Sequence, residues 1–531
     1  MVLGARKDPE DAVTVDHPVE SQATTPAQGG ALPAAAASRS PAPPGPEGPG
    51  GPGGPGGPGG PGGTSEPPES DAAVESDAAP GTGNISWSGA ARQWAPYETR
   101  PAGFDWPPGV EKASRELLLD VFGRSPAVRV ELWDGYALGP RTGTRVLVRN
   151  PHALRRALSH PGELGFARAF VAGDLEIDGD IFEALALRAQ IARLRPSAAV
   201  LRAALALARQ FGPRPPQPPP EEARLRGRAH SRSRDADAIS HHYDVSNDFY
   251  RLVLGPAMTY SCAVWGSPST GLAAAQEAKH ELICRKLGLR AGERLLDVGC
   301  GWGSMLLHAA RRHGVTGVGI TISAEQATEA RRRVTEAGLD DRIEIRLQDY
   351  REIADGSFDA ISSVGMVEHV GRAKLPVYFR SLFDLLRPGG RLLNHGISFP
   401  GDPASAARSQ PRIGPIPLPK DADFLHRYVF PDGELHEIGA LVTLMQGGGF
   451  EVRHVENLRE HYALTLRAWV GNLEKRWDEA VALVGPGRAR VWRLYMAGSA
   501  LSFEAGLSQI HQVLGVRPAA GASHQPLRPS Y

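Results

Sequence analysis

Residues 295–305 read LLDVGCGWGSM, and this stretch narrows the fold of the chain more than any other. An apolar run closes on an acid, Asp297, and enters a turn with glycine at every second position: Gly299, Gly301 and Gly303. The run is bounded like a short buried strand. The glycines let the backbone turn tightly and let a ligand approach the main chain closely. SMLLHAARRH, which follows, has the apolar spacing of a helix. The alternation continues downstream. VTGVGIT is a strand and SAEQATEARRRVTEAG a helix, with Ser323 as its N-cap. IEIRLQ and FDAISSV are strands, AKLPVYFRSLFDLL is a helix ended by RPGG, and RLLNHGI is a strand. Such alternation predicts an α/β domain over residues 239–517, with a parallel sheet covered by helices on both faces.

The chemistry of the loop narrows the ligand. Its spacing is GxGxG, not the GxGxxG of a dinucleotide fold, and no GK[ST] phosphate loop is present. A carboxylate at the end of the strand repels a pyrophosphate and suits a cation. S-adenosylmethionine fits, with its sulfonium, an amino-acid head that can meet backbone amides, and an adenosine. RLQDY follows the next-but-one strand, so that Asp349 can accept from the adenine amino group while Tyr350 packs on the ring. Turn, acids and strand order together predict a class I S-adenosylmethionine-dependent methyltransferase (Rossmann-like) fold.

The rest of the chain frames this domain. Residues 1–90, rich in Pro, Gly and Ala and containing GPGGPGGPGGPGGPGG, read as a disordered tail; the repeat is too short and isolated for a collagen helix. Residues 91–210 read as a small α+β domain, from strand-like AVRVELWDG and TRVLVRN and helix-like PHALRRALSH and GELGFARAF. Residues 211–238 form a Pro- then Arg-rich linker. It reads either as a solvated spacer or as a stretch whose Arg224, Arg226, Arg228, Arg232 and Arg234 touch anionic lipid headgroups. Residues 518–531 form a C-terminal tail. The formal net charge of +0 gives no polyanion signal, so no nucleic-acid partner is expected. Three cysteines with no CxxC pair imply reduced thiols and no thiolate zinc site, and no metal is expected. The start of the sequence has no signal peptide and no run is long enough to span a bilayer, so a cytoplasmic protein lying on a membrane is expected.

HHYDVSNDFYRLVLGPAMTYSCAVW, LLDVGCGWGS, GITISAEQ, GMVEHVG, LLNHGIS, RYVFPDGEL and EHYALTLRAW occur in that order between residues 239 and 517. Together they resemble the cyclopropane-fatty-acyl-phospholipid synthases and mycolic-acid cyclopropane synthases. A weaker likeness to the small N-terminal domain of the phospholipid enzymes runs over 125–190. The resemblance implies methyl transfer from S-adenosylmethionine onto the double bond of unsaturated acyl chains in membrane phospholipids, with a bound bicarbonate beside the acceptor. It implies Cys262, Glu368, His395, the backbone at Ile397, and Tyr462 as the catalytic set. It implies Tyr260, Ser261, the Gly299–Gly303 loop, Thr321, Ile322, Gln326 and Tyr350 as cofactor contacts. A homodimer is compatible with it.

Two departures bear on the product. LLNHGIS stands where LLHTI is more usual, and RYVFPDGELHEIG replaces a FPGGxLPS segment near the lipid entrance. SRDADAISHHYDVSNDFY and YVFPDGEL look closer to the branch making 10-methylene and 10-methyl chains of the tuberculostearic type, which works with a flavin-dependent reductase. Cyclopropane and 10-methylene products therefore both remain open. Taken singly, each catalytic candidate has a plainer reading: Cys262 as core, Glu368 as a solvated helix start, His395 as a satisfied core histidine, Tyr462 as helix packing. His241 and His242 read as structural parts of a lid. The rival functions are methylation of a soluble small molecule and non-catalytic lipid binding.

Overall fold

A computed structural model describes residues 108–185, 187, 197–223, 245–401 and 424–531 of the 531-residue chain. The Pro/Gly-rich start, the five linker arginines, His241, His242 and the segment with Ile413 and Ile416 lie outside the described residues.

A four-stranded sheet comes first: β1 (Arg129–Leu132), β2 (Ala137–Leu138), β3 (Arg145–Val148) and β4 (Leu175–Asp178), in the order β2-β1-β3-β4. In β1 and β3 alternate residues are buried, so these strands show one face to the core and one to water. The helices Pro151–Ser159 and Glu163–Val171 connect β3 to β4. The first is capped by the Asn150 side chain, which accepts from His152 N. The helix Ala198–Phe211 buries Ala199, Ala203 and Leu207, yet leaves Leu201 61% and Leu205 48% exposed.

The larger sheet contains β5 (Arg294–Val298), β6 (Thr316–Thr321), β7 (Ile343–Leu347), β8 (Phe358–Val364), β9 (Leu386–Phe399), β10 (His436–Glu437), β11 (Glu451–Asn457) and β12 (Gln509–Val516). Its order is β11-β12-β9-β8-β5-β6-β7, with β10 on β9. The run β7-β6-β5-β8-β9 is parallel, as the alternation predicts. β12 departs from that expectation: it lies antiparallel between β9 and β11, with Ile510 opposite Ile397 and Gln512 opposite His395. The C-terminal stretch 491–515 reads from sequence as helical throughout, but the helix Trp477–Glu504 ends and the chain re-enters the sheet. The reason is that β12 is buried on both faces, which removes the alternation that marks a strand. RPGG also behaves differently from a simple helix stop. β9 begins at Leu386, and pairing with β8 jumps from Phe358↔Leu386 to Ala360↔Arg391, so residues 387–390 bulge out of register.

The small sheet shares an apolar cluster with the helices that carry the site, while most of the large sheet packs in two separate clusters. Residues of β1, β3 and β4 pack in the same cluster as Phe249, Tyr250, Trp469, Trp492 and Tyr495. The helix Trp477–Glu504 is the link. Gly485, with φ +77, and Pro486 break it into two limbs. On the second limb Arg490 donates to Glu176 Oε2 at 2.9 Å, and Arg493 donates to the carbonyls of Ile177 (3.2 Å) and Gly179 (3.1 Å). That limb carries Trp492 and Tyr495 to the site. Among the described residues, no helix is long and apolar enough to cross a membrane.

Candidate active site

A pocket opens at the carboxyl ends of β5, β6 and β8, the end of such a sheet where ligands bind. Of the expected cofactor contacts, Tyr260, Ser261, Asp297, Gly299, Gly301, Thr321, Ile322, Gln326, Asp349 and Tyr350 all line it. Gly303 does not; it caps the helix Ser304–His313 in a left-handed conformation. Gly299 is required twice over: its φ is +75, and a Cβ there would stand 2.5 Å from Met366 Sδ. The loop amides are less available than the sequence suggests. Gly299 N and Cys300 N both donate to Ile320 O, at 3.0 and 2.9 Å, and Gly303 N donates to Cys300 O at 2.9 Å. Asp349 also differs from expectation, since its carboxylate takes the Arg351 amide (2.9 Å) and guanidinium (2.6 and 2.8 Å). Tyr350 stands edge-on to Tyr378, with ring centroids 4.9 Å apart.

Two charges sit on the pocket's inner wall. Asp297 accepts from Ser362 Oγ at 2.5 Å, and burial pushes its carboxyl up to about 6. Lys279, from the helix Leu272–Leu287, is 2% exposed, and burial pulls its ammonium down to about 8 against the opposing pull of Asp297. The sequence reading missed Lys279. Its signal was a lysine on the buried face of a helix, in step with Ala275 and Ile283.

The catalytic candidates form a second, drier cluster that adjoins the pocket through the chain at 260–262 and 366–368. Cys262 and Tyr462 meet at one carbonyl: Leu458 O accepts from Cys262 Sγ at 3.7 Å and from Tyr462 N at 3.2 Å. Leu458 N donates to Ile510 O at 2.8 Å, and Ile510 pairs with Ile397. Ile397 N donates to Glu368 Oε1 at 2.6 Å, so this amide acts on the site through the Glu368 carboxylate. Six residues from five segments are thus tied together around the start of β12. Tyr260, which donates to the Tyr495 hydroxyl at 2.9 Å, faces Trp469 and Trp492 at centroid distances of 5.4 and 5.6 Å. Tyr462 packs on Phe503 at 4.8 Å, which completes an aromatic wall.

Protonation follows from this packing. Lys286 only donates, and it donates to Gln512 Oε1 at 2.7 Å. Gln512 Nε2 therefore faces His395 Nδ1, 3.0 Å away, and donates to it. Burial holds the imidazole neutral, well below its usual value, so its proton resides on Nε2. That Nε2–H and Glu368 Oε2 are both buried without a hydrogen-bond partner among the described residues. Burial pushes the Glu368 carboxyl up to about 7. Burial also raises the Cys262 thiol, leaving it protonated and unsuited to nucleophilic attack.

One further cluster lies between the helices Leu272–Leu287 and Ser304–His313, where donor atoms of Cys284, His308 and His313 lie within 4.8 Å of one another. Glu281 Oε2 takes both imidazoles, at 3.0 and 3.1 Å, and these bonds account for the arrangement.

The mycolic acid cyclopropane synthetase family profile matches residues 230–513, more than half of the chain. The chain belongs to this family. It is 45% identical over 437 residues to a probable fatty acid methyltransferase of Mycobacterium tuberculosis, covering 79% of this chain and 98% of that one. It is 32% identical over 398 residues to a tuberculostearic acid methyltransferase of the same organism, covering 72% and 86%. The cyclopropane synthase MmaA2 of M. tuberculosis superposes with a TM-score of 0.50 at 30% identity, over 53% of this chain and 98% of that one. The chain is an S-adenosylmethionine-dependent methyltransferase.

Proposed function

We propose that this enzyme methylates the double bond of unsaturated acyl chains in membrane phospholipids, giving a cyclopropane or a 10-methylene chain. The observation that carries the proposal is the pair of unpartnered buried atoms, Glu368 Oε2 and His395 Nε2–H, in an otherwise apolar, aromatic-walled cluster. A buried polar group without a partner costs about 1–3 kcal/mol, so a pair of them in one site calls for a small polar occupant. Bicarbonate fits that donor set. The His395 Nε2–H donates, a Glu368 carboxyl near half-protonation at neutral pH donates or accepts, and Cys262 and Tyr462 wall the space. Bound there, it would supply a small base that the methyl donor does not readily alkylate.

The chain's own residues do the rest. S-adenosylmethionine supplies the methyl group. An alkene is a weak nucleophile, so the rate depends on holding it against the sulfonium with water excluded. Transfer leaves a carbocation. The rings of Tyr260, Trp469 and Tyr462 oppose that charge, at about 0.5–2 kcal/mol each. Loss of a proton from the new methyl with ring closure gives the cyclopropane; a hydride shift before proton loss gives the methylene. The names of the two relatives support a fatty-acyl substrate, and the second favours the 10-methyl outcome, with a flavin-dependent reductase completing it. A protein held at the cytoplasmic face of the membrane suits such a substrate, and exposed Leu201 and Leu205 on one helix supply an apolar contact for it. Mass spectrometry and NMR of lipids from cells expressing the protein, with and without a flavin reductase, test the proposal. Acyl chains one carbon heavier are expected; their absence defeats it, and a cyclopropane signal rejects the methylene branch.

A further inference from the structure

Lys279 is a buried ammonium facing the cofactor pocket, with no hydrogen bond or ion pair to any described residue. The charged and titratable groups around it are Asp297, Cys262, Cys284 and the imidazoles of His280 and His395, which burial keeps neutral. Both thiols are pushed up by burial and carry no charge at neutral pH. Asp297 attracts Lys279 without forming an ion pair with it, and of the protein's groups it engages the Ser362 hydroxyl. An ammonium taken out of water and left unpaired costs several kcal/mol, which a ligand anion offsets. The pocket thus presents one buried cation and one buried anion, each open to a ligand.

The amino-acid end of S-adenosylmethionine is their complement: a carboxylate and an α-ammonium on one carbon. We propose that Lys279 receives the cofactor's carboxylate while Asp297 receives its α-ammonium. The proposal rests on the cofactor assignment and gives a charge-specific role to a residue the sequence motifs do not mark. Two observations favour Lys279 over the other donors at hand. The amides of Gly299, Cys300 and Gly303 are committed to Ile320 and Cys300 carbonyls. The other candidate cations on the wall are Arg351, which is bound by Asp349, His280, which burial keeps neutral, and His369, whose ring packs 5.8 Å from that of Phe430. Ion pairing of both ends would also strengthen the charged forms of Lys279 and Asp297, which burial disfavours.

Calorimetric titration of the full-length protein with three ligands tests the pairing. S-adenosylhomocysteine has both charged groups, its decarboxylated analogue keeps only the amine, and 5′-methylthioadenosine has neither. Lys279→Met should weaken S-adenosylhomocysteine roughly 10- to 100-fold and leave the other two unchanged, with Lys279→Arg restoring part of the loss. Asp297→Asn should weaken the two amine-bearing ligands and spare methylthioadenosine. Equal weakening of all three by Lys279→Met would make Lys279 a wall residue and overturn the proposal, as would no change for S-adenosylhomocysteine. Wild-type protein that binds none of the three would overturn the cofactor assignment itself, and this pairing with it.

Discussion

The two halves of the site are built in opposite ways. The cofactor half is centred on one loop and the carboxyl ends of adjacent parallel strands, with the chain at 258–261, Lys279 and the chain at 429–433 closing its wall. Its wall mixes apolar side chains with a few polar groups, of which the Gly299 and Cys300 amides and the Asp349 carboxylate have protein partners. The acceptor half is assembled from five segments between Cys262 and Gln512, and it is dry, aromatic and short of partners at Glu368 Oε2, His395 Nε2 and Trp469 Nε1. The first half needs a backbone shape, which a few glycines specify. The second needs side chains held at fixed depth, which only the completed fold provides. Binding and chemistry should therefore come apart under mutation.

The largest expected split is at Glu368. Glu368→Gln should lower turnover at least about a hundredfold while S-adenosylhomocysteine affinity stays within about threefold. Parallel losses in calorimetry and rate would erase the distinction between the halves. The same residue makes a second, smaller prediction. Burial holds its carboxyl at about 7 in the folded state, above the ordinary 4.5. The folded state thus holds the proton more tightly, and stability declines as pH rises from about 4.5 to 7, by roughly 3 kcal/mol. Glu368→Gln should flatten that decline in urea unfolding between pH 5 and 8, leaving an inactive protein that is no less stable at pH 8. A mutant with the wild-type slope would show the carboxyl to be ordinary. The smallest effect is at Cys262, where the thiol donates to carbonyl oxygens of Ala263 and Leu458. Cys262→Ser keeps a donor there and should retain activity within about tenfold; complete loss would point to covalent chemistry instead.

Legibility in the sequence followed the same division. LLDVGCGWGS, Ser323 as an N-cap and the β5–β8 strands were readable because their patterns are local, and Ser323 does accept from Gln326 N. β12 was not readable, since a strand buried on both faces has no alternating pattern. The neutral tautomer of His395 was not readable either, because it depends on Lys286 orienting Gln512 from another element. Lys279 lay in plain view on the buried face of a helix, but only the folded pocket shows that no hydrogen bond or ion pair to a described residue holds it.

Arg490 and Arg493 fasten strand β4 to the limb of helix that carries Trp492 and Tyr495. The small sheet is therefore a handle on the aromatic wall. A cut in the chain between residues 223 and 245 would leave the two pieces gripping each other, and a push on β4 would be felt at Tyr260, where the rings of that limb press.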